Sequence, residues 1–458
     1  MKQGIITKTC AVAAALAMGV SLAACGGGSS ADSSKGHVYF MNNKSEVVDQ
    51  YKQLAEMYTE KTGVQVDVQT GASGTYDATM SSELAKSNAP TMFNISGFDQ
   101  FAKYQKYCEP LQDTEAYKLL TDDGKAYSYT IDGDSFTLPY AAEWYGIIYN
   151  KKIINDYASK DYAVIKSADD IKDYKTLKAV AESINEHKDD LGVDGAFATP
   201  GLDASDTYRF SAHMGRIPLY YEYKDMNTTF SKAIKGTYLD NYKDLFDLEL
   251  ETSPTDPSLV SSKTYDDVTS EFALGQVAFY PNGVWAYTQI KGNEVADDDL
   301  GMLPYYMGIK GEEESGPAGV YDASWAVNKN ASDKDKQATL DFIKWMVTDD
   351  EAKKILSQDM GFSVPFTTFD GDEFQPDNPL TKIARSYAAD GKTEVRSFTV
   401  PDQQWQDDVA AALIEYAQGT GDWSKVKSAY VDGWATEWNN NEESLGSVPQ
   451  AQKFDQQG

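Results

Sequence analysis

The chain has 458 residues, which exceeds the length of one ordinary domain and favours two. Its formal net charge of −30 at pH 7 repels phosphate groups, which argues against a nucleic-acid partner and against spreading on an anionic bilayer. Hydrophobic residues make up 41% of the chain and charged residues 24%, which is the composition of a globular protein.

The first residues have the features of a secretory signal peptide. Lys2 and Lys8 precede an apolar run that is too short and wrongly flanked for a membrane-spanning helix. The stretch SLAAC ends at Cys25 and is followed by GGGSSADSSKG, and this order resembles a lipobox with its tether. We expect 1–24 to be a signal peptide and 25–36 a flexible tether with lipid on Cys25. The alternative is a plain secretory signal whose cysteine is incidental.

Strand and helix patterns alternate after the tether. The runs HVYFMN, VQVDVQT and TMFNIS have the composition of strands, and a helical pattern lies between each pair. In the first helical pattern Val47, Tyr51, Leu54 and Tyr58 share one face, with Gly63 as its C-terminal stop. This alternation predicts a parallel sheet whose ligands bind beyond the carboxyl ends of the strands. Those ends carry Asn42, Asn43 and Lys44, then Thr70, Gly71 and Ala72, then Asn94, Ile95 and Ser96.

Several tryptophans follow, and their sequence contexts differ. The stretch AEWYG places Glu143, Trp144 and Tyr145 where the chain can pass between domains. In YPNGVWAYTQI an Asn-Gly turn after a strand precedes Trp285, and a tryptophan in that position often faces a cleft. Trp345, Trp434 and Trp438 instead lie within helical patterns, where we expect them to pack in the core, and we expect the single mature thiol, Cys108, to be a packing residue.

Catalytic and metal-site motifs are missing from the sequence. It has no phosphate-binding loop, dinucleotide fingerprint, HExxH or CxxC pair, and GFSVP lacks the second glycine of a nucleophile elbow. We therefore expect no catalytic residue, no metal and no cofactor. The many acidic residues leave a surface glycosidase as an alternative, since sequence does not give the separation of two carboxylates.

The ordered landmarks resemble the extracellular solute-binding proteins of sugar ABC importers, the group that includes maltose-binding protein. They are VYFMNN, LAEMYTEKTGVQVDV, LAKSNAPTMFNIS, LPYAAEWYGIIYNKKII, FALGQVAFYPNGVWAYTQI, LGMLPYY, ASWAVNKNASDKDKQATLDFIKWMVTDDEAKKIL and GFSVPF. The resemblance implies an α/β, two-lobed periplasmic-binding-protein-like fold. Each lobe is a mainly parallel sheet flanked by helices, and hinge strands join the lobes. We expect crossings near Trp144, Met302 and Val347, giving an N-terminal lobe of 37–144 plus 303–347 and a C-terminal lobe of 145–302 plus 348–458.

The resemblance also implies that Trp285 faces the cleft and offers its plane to the C–H face of a sugar. The alternative is that Trp285 is buried under its own helix. The other expected aromatic platforms are Trp144, Tyr145, Trp325 and Trp405. The expected polar contacts are Asn43, Ser45, Glu46, Asn94, Asp99, Glu143, Tyr208, Arg209, His213, Asn282 and Asp322.

Structural roles stay open for some of these polar residues. For Ser45 the alternative role is a helix cap, and for Glu46 it is a position in the first helical turn, where the helix dipole favours an acid. For Arg209 the alternative is an ion pair with Asp206. Asn94 stands where better-known maltose binders have an aromatic residue, so their subsite pattern does not carry over.

The predicted protein is a lipid-anchored receptor on the extracellular face of the cytoplasmic membrane, of the Gram-positive type. It captures an oligosaccharide in an aromatic-lined cleft, closes on it and delivers it to an ABC permease without breaking a bond. We expect a monomer whose membrane contact is the N-terminal lipid alone. Besides the glycosidase, a binder of a non-sugar solute on the same fold and an adhesive surface protein remain alternatives.

Overall fold

The computed structural model describes residues 33–71, 74–131, 133–445, 448–449 and 451–454. The predicted signal peptide and Cys25 lie outside these residues. The strands of the described chain are β1 His37–Asn42, β2 Gln65–Thr70, β3 Met92–Ile95, β4 Thr130–Ile131, β5 Asp134–Ser135, β6 Leu138–Asn150, β7 Gly195–Phe197, β8 Val277–Gly283, β9 Leu300–Leu303, β10 Ser315–Val327 and β11 Thr393–Arg396.

Helices flank these strands along the whole chain. They are α1 Val48–Thr62, α2 Tyr76–Leu84, α3 Gly97–Tyr104, α4 Glu115–Lys118, α5 Asp122–Ala126, α6 Lys151–Ala158, α7 Tyr174–Glu186, α8 Lys188–Leu191, α9 Gly215–Met226, α10 Leu239–Thr252, α11 Tyr265–Ala273, α12 Tyr287–Ile290, α13 Asp333–Thr348, α14 Asp350–Lys354, α15 Pro379–Ala389, α16 Gln403–Ala417 and α17 Trp423–Leu445. A π-helical turn, Arg209–Met214, leads directly into α9.

One mixed sheet runs through the molecule in the order β2-β1-β3-β10-β6-β8-β7, with β11 beside β10 and β9 beside β6. β1 pairs in parallel with β2 and β3 at one end, and β7 pairs in parallel with β8 at the other. The long strands β6 and β10 are antiparallel to each other and pass from one end to the other. The predicted two-lobed α/β fold with hinge strands is confirmed, and the antiparallel hinge strands join the two parallel parts into one sheet.

Each lobe has its own core. Side chains from α1, α13 and the first three strands pack in the N-terminal lobe, and those from α7, α9, α10, α16 and α17 pack in the C-terminal lobe. Trp434 and Trp438 are fully buried there, as predicted. Cys108 is buried too, and burial raises the pKa of its thiol to about 12, which fits its predicted packing role.

Two segments near the predicted lobe crossings pack as follows. Residues 305–309 pack in the C-terminal core, because the segment after β9 stays beside helices of that lobe. The chain returns within β10, whose start pairs with β11 and whose end pairs with β3. Val347 and Phe374 both lie in the N-terminal core, whereas Leu380 packs with residues of the C-terminal lobe.

The first helix follows its sequence pattern closely. Val47, Tyr51, Leu54 and Tyr58 are all buried, and Gly63 ends α1 with a left-handed φ of 75°. Ser45 lies in a 3₁₀ turn ahead of α1, and no side-chain cap bond is present at the helix start.

The segment ahead of Trp285 differs from the prediction of an Asn-Gly turn. β8 continues through Asn282 and Gly283, and Gly283 is extended with φ −105° and ψ 173°. The Asn282 amide donates to the Tyr280 hydroxyl, and its carbonyl accepts from the Gly283 N–H. These bonds hold Asn282 inside the strand, and a 3₁₀ turn then carries Trp285.

A buried carboxyl group makes the free energy of unfolding depend on pH. Glu249 on α10 is fully buried, and within the described residues neither carboxyl oxygen has a hydrogen-bond partner. Burial raises the pKa of Glu249 well above 4.5. The folded state therefore holds this proton where the unfolded state has lost it, and the free energy of unfolding decreases as pH rises above about 4.5.

We expect Glu249→Gln to increase the free energy of unfolding at pH 8 by about 1–3 kcal/mol and by less at pH 5. Urea denaturation at both pH values measures this difference. Glu182→Gln, at an exposed position on α7, is the matched control. An equal effect of Glu249→Gln at the two pH values would contradict the prediction.

Candidate functional site

The polar part of the site lies at the carboxyl end of β1. The Lys44 ammonium is 2.7 Å from a Glu143 carboxylate oxygen and 3.4 Å from a Glu46 oxygen. The Asn42 amide donates to the Lys44 carbonyl at 2.7 Å and so holds the turn that points Lys44 toward the hinge strand β6. Burial lowers the pKa of Lys44, the carboxylates of Glu143 and Glu46 raise it, and the net direction is upward. Lys44 is therefore a charged residue held between two carboxylates.

The aromatic part of the site comes from the C-terminal lobe. Trp285 is half-buried, and its ring lies over Gly283, where a Cβ atom would be 2.1 Å from the indole. The His213 ring is stacked on Tyr145 with 4.2 Å between centroids, and it is 5.2 Å from Trp285 and 5.1 Å from Tyr208. Tyr145 is fully buried, whereas Tyr208, His213 and Trp285 are half-buried, and we call these four rings the aromatic cluster.

The two lobes touch next to these groups. The turn that contains Ser45 and Glu46 lies against α12 of the opposite lobe. Farther along, a Cβ on Gly74 would be 2.3 Å from the Ala204 carbonyl oxygen, so the loops of the two lobes are in backbone contact there. The φ of +76° at Gly74 also favours glycine. The structure is therefore a closed arrangement of the lobes, which explains why many cleft side chains are buried.

Several buried polar atoms near this contact have no hydrogen-bond partner among the described residues. Those on the side chains that face the lobe contact are Asn43 Oδ1, His213 Nδ1, the Tyr265 hydroxyl and Gln289 Oε1. Asn43 already donates its amide to Ser96 Oγ at 2.7 Å, and Gln289 donates its amide to Asp266 at 3.1 Å, so a carbonyl oxygen remains on each. Because buried polar groups are nearly always hydrogen-bonded, these atoms mark where a polar ligand or water would bind.

A second space also lies between the lobes. It has a volume of about 420 Å³ and is lined by α2 and α3 of one lobe and by the start of α16 in the other. Its lining residues are Asp77, Asp99, Gln100, Lys103, Asp402, Gln403, Gln404, Asp407 and Asn441. A volume of this size suits a small-molecule ligand.

A family model described as bacterial extracellular solute-binding protein matches residues 53–380. The chain belongs to this family. Among curated proteins, the maltotriose-binding protein of Pyrococcus abyssi (strain GE5 / Orsay) is 25% identical over 230 residues. That match spans 50% of this solute-binding protein and 44% of the relative, which is less than half of the relative's length.

Solved structures show the same fold over nearly the whole chain. A chitin oligosaccharide binding protein has a TM-score of 0.69 and 18% identity, and the match covers 90% of this chain and 99% of that one. The GacH receptor of Streptomyces glaucescens GLA.O has a TM-score of 0.68 and 18% identity, covering 89% and 99%. Within the described ranges of this solute-binding protein, no helix has both the length and the apolar character required to cross a bilayer.

The structure brings together about half of the residues that the sequence predicted for the site. Those at the lobe contact are Asn43, Ser45, Glu46, Glu143, Tyr145, Tyr208, His213 and Trp285. Asp99 lies in the second interlobe space. Trp285 is not buried under its own helix, so the alternative considered for it does not apply. The side chain of Asp322 lies outside what the structure describes.

Six other predicted residues, three polar residues and three tryptophans, lie inside the protein. Asn94 is fully buried, bonding Tyr140 and the Asn43 N–H, and Asn282 is confined to β8. Arg209 is bound to Asp206 and to the carbonyls of Pro281 and Thr199, which is the alternative that the sequence left open. These contacts use their polar atoms for structure in this closed arrangement, and their contact with a ligand stays a prediction.

Three tryptophans are also buried rather than presented to a ligand. Trp325 stacks on Tyr140 with 4.4 Å between centroids, and Trp405 donates its indole N–H to the Tyr430 carbonyl. Trp144 donates its indole N–H to Glu394 at 2.6 Å and packs at the hinge. Each ring fills a core or hinge position, so none of the three is accessible as a platform in this arrangement.

Three residues at the site were missed by the sequence analysis. Lys44 was named only as part of a strand end, although its position directly after β1 was a usable signal. Tyr265 is the first residue of α11, directly after the Thr264 cap, and Gln289 lies on α12. The last two residues carried no distinguishing pattern, because their relevance comes from the lobe contact.

His213 makes the stability of the protein sensitive to acid. Burial lowers the pKa of His213 well below 6.5, and the charges of Arg216, Arg209 and Lys44 lower it further. The unfolded state therefore binds a proton near pH 6.5 that the folded state does not bind. The stabilising contribution is complete above about pH 6.5 and is lost as pH falls below it.

We expect His213→Phe, which keeps a ring in the stack, to reduce the loss of stability between pH 7.5 and pH 5.5. The difference between wild type and variant should approach about 1 kcal/mol per pH unit below pH 6.5. Urea denaturation at the two pH values provides the measurement. Equal pH slopes in wild type and variant would contradict it.

Proposed function

We propose that this solute-binding protein is the receptor of an ABC importer, and that it captures an oligosaccharide between its lobes. The observation that carries the proposal is the position of the aromatic cluster of Tyr145, Tyr208, His213 and Trp285. It lies beside the Lys44–Glu143 pair, because Glu143 is two residues before Tyr145 on β6 and the Lys44 charge acts on His213. Sugars have apolar C–H faces and a rim of hydroxyl groups, so a ring surface beside hydrogen-bonding groups matches their chemistry.

The names of similar proteins support a sugar ligand. The curated relative is a maltotriose-binding protein, one structural neighbour is a chitin oligosaccharide binding protein, and the GacH receptor was solved with acarbose. All three names describe oligosaccharides or their analogues. We therefore place a sugar ahead of a peptide or another non-sugar solute for this chain.

Lobe closure is the proposed mechanism. Lys44 and Glu46 belong to one lobe and Trp285 to the other, so a ligand bound to all three bridges the lobes and stabilises the closed form. We propose lobes of 37–141 plus 324–374 and of 145–319 plus 380–445, with hinges in β6, in β10 and between Phe374 and Leu380. The irregular pairing of β6 with β10 between Val320 and Ser324 supports a hinge at that point.

A receptor fits the charged groups better than a glycosidase does. A glycosidase needs one carboxyl group that donates a proton and a second that acts on the sugar. Glu46 and Glu143 instead both contact the same cation, the Lys44 ammonium, at 3.4 Å and 2.7 Å, so both carboxylates are engaged in an ion pair within the protein. We infer that these groups bind ligand and do not cleave it.

We further propose that the protein is a lipoprotein of the extracellular face, anchored through Cys25, and that it functions as a monomer. The lipobox resemblance and the Gly/Ser-rich tether support the anchor. The closed form would be recognised by the transmembrane subunits of the permease. Labelling with a radioactive fatty acid tests the anchor, with Cys25→Ala as the unlabelled control.

Calorimetric titration of residues 26–458 against maltotriose, N-acetylchitotriose, raffinose and a wider panel of neutral oligosaccharides tests the function. Chromatography of each mixture follows the titration. We expect saturable binding with every sugar recovered intact. Shortened sugars would instead establish a glycosidase, and silence across the panel would favour a non-sugar solute.

A further inference from the structure

The cations at the lobe contact are already neutralised by the protein itself. Lys44 is bound to Glu143 and Glu46, and Arg209 is bound through two nitrogens to Asp206. Counting Lys44 with its two carboxylates gives this group a formal charge of −1. A bound anion would therefore have to compete with an internal carboxylate for either cation.

The remaining polar groups of the site are an imidazole, a buried guanidinium, two amide oxygens and a hydroxyl. His213 is half-buried, stacked on Tyr145 and tilted against Trp285, a setting that disfavours the imidazolium ion. Arg216, one helical turn beyond His213, is 6% exposed and so offers little guanidinium surface to a ligand. The unpartnered atoms of Asn43, Tyr265 and Gln289 are two amide oxygens and a hydroxyl. These groups match sugar hydroxyls, which both donate and accept hydrogen bonds.

The second interlobe space has the same charge character. Four aspartates and one lysine line it, and that lysine, Lys103, forms an ion pair with Asp77. An oligosaccharide long enough to reach this space would meet a negative potential there as well. The second space therefore has the same sign of charge as the group of Lys44, Glu46 and Glu143.

We infer that the interlobe site selects uncharged oligosaccharides and excludes those that carry a carboxylate, sulfate or phosphate group. The inference rests on the proposed sugar-receptor function and adds the charge class of its ligand. The physical reason is that Lys44 and Arg209 are already bound to carboxylates, so a closed site would bury the anion in competition with them, and a buried charge without its own partner is strongly unfavourable. Selectivity therefore has two sources. The Lys44–Glu46–Glu143 group excludes anionic ligands, and the contacts of the site favour neutral ones.

A matched pair of ligands tests this inference with the chain of residues 26–458. The tightest neutral trisaccharide of the panel is oxidised at one terminal C6 to give the uronate, and that acid is converted to the uronamide. The uronamide has nearly the same shape as the uronate and no charge. Both are titrated at pH 7.5. The uronate should bind at least about 100-fold more weakly than the parent sugar, and the uronamide should bind with nearly the affinity of the parent sugar.

Glu143→Gln provides the second arm, because it removes one of the two carboxylates that bind Lys44. In this variant the ratio of uronamide affinity to uronate affinity should fall by about tenfold, whatever the absolute affinities. Thr59→Ser, at a half-buried position on α1 away from the lobe contact, controls for handling and should keep the wild-type ratio.

The outcomes separate the two claims. Equal affinity for uronate and uronamide in the wild type overturns the charge selection and leaves the sugar receptor in place. An unchanged ratio in Glu143→Gln overturns the assignment of the selection to the Lys44 group. If no neutral sugar of the panel binds, the proposed function fails first, and the inference that rests on it fails with it.

Discussion

Replacing Trp285 with alanine is expected to weaken oligosaccharide binding by roughly 10- to 100-fold. The indole lies at the edge of the aromatic cluster, 5.2 Å from the His213 ring, and is half-buried in the closed protein, so a ligand would cover its remaining face. Burying an aromatic face of this size contributes about 1.5–3 kcal/mol, and about 1.4 kcal/mol corresponds to a tenfold change in affinity. Calorimetric titration of the best sugar from the panel measures the loss. Trp285→Phe should retain part of the affinity, because a smaller ring remains.

Trp345→Ala is the matched control for this experiment. Trp345 lies on α13 and is half-buried like Trp285. It packs against Tyr58 of α1 and Phe342 of α13, away from the aromatic cluster. We expect Trp345→Ala to reduce the free energy of unfolding and to leave the affinity for sugar unchanged. An affinity loss of the same size in both variants would mean that Trp285 acts through stability and does not touch the ligand.

Asp206→Ala is expected to produce the largest loss of stability, about 3–5 kcal/mol. Asp206 and Arg209 are both fully buried, and the carboxylate accepts from Arg209 Nε at 2.7 Å and from its Nη2 at 2.5 Å. Removing Asp206 leaves the guanidinium buried without a counter-ion. Arg209 also donates to the Pro281 carbonyl at 2.8 Å, so the end of β8 that leads to Trp285 would lose its support as well. Urea denaturation at pH 7.5 measures the change in unfolding free energy.

Two comparisons make the test of the buried pair specific. Glu182→Ala removes the partner of Lys178 in a solvent-exposed pair on α7 and should cost less than about 1 kcal/mol. The double variant Asp206→Leu/Arg209→Met replaces both charges with apolar groups and should recover much of the stability lost in Asp206→Ala. If the exposed pair costs as much as the buried pair, desolvation is not the cause of the loss.

The Asp206–Arg209 pair shows how burial decides between two roles that the sequence leaves open. The spacing of Asp206 and Arg209 left two roles open, a ligand contact or an internal pair. Burial decides between them, because a fully buried guanidinium needs a carboxylate and several carbonyl acceptors. Short-range sequence could name the candidate partner but could not say that both residues lie beneath the surface.

Trp285 and Trp405 illustrate the same limit for aromatic residues. Both were expected to face the cleft, and only Trp285 remains accessible at the lobe contact. Trp405 is surrounded by Tyr430 and Trp434 from α17, a helix that starts many residues later. Nothing near Trp405 in the sequence indicates that this later helix covers its ring.

The sequence by itself determined the local elements and the buried faces of this protein. The apolar spacing of α1 predicted which of its residues are buried, and Gly63 marked its end, because helical periodicity and backbone freedom are local properties. Alternating strand and helix patterns likewise gave the α/β class.

Only the tertiary structure decided which polar residues meet between the lobes and where the chain crosses from one lobe to the other. Lys44 and Glu143 are 99 positions apart and come together because β1 and β6 belong to one sheet. Periodicity tells which face of an element is buried but carries no information about what covers that face. The binding surface of a two-lobed protein is made of such long-range contacts, so its residues emerge only once both lobes are placed.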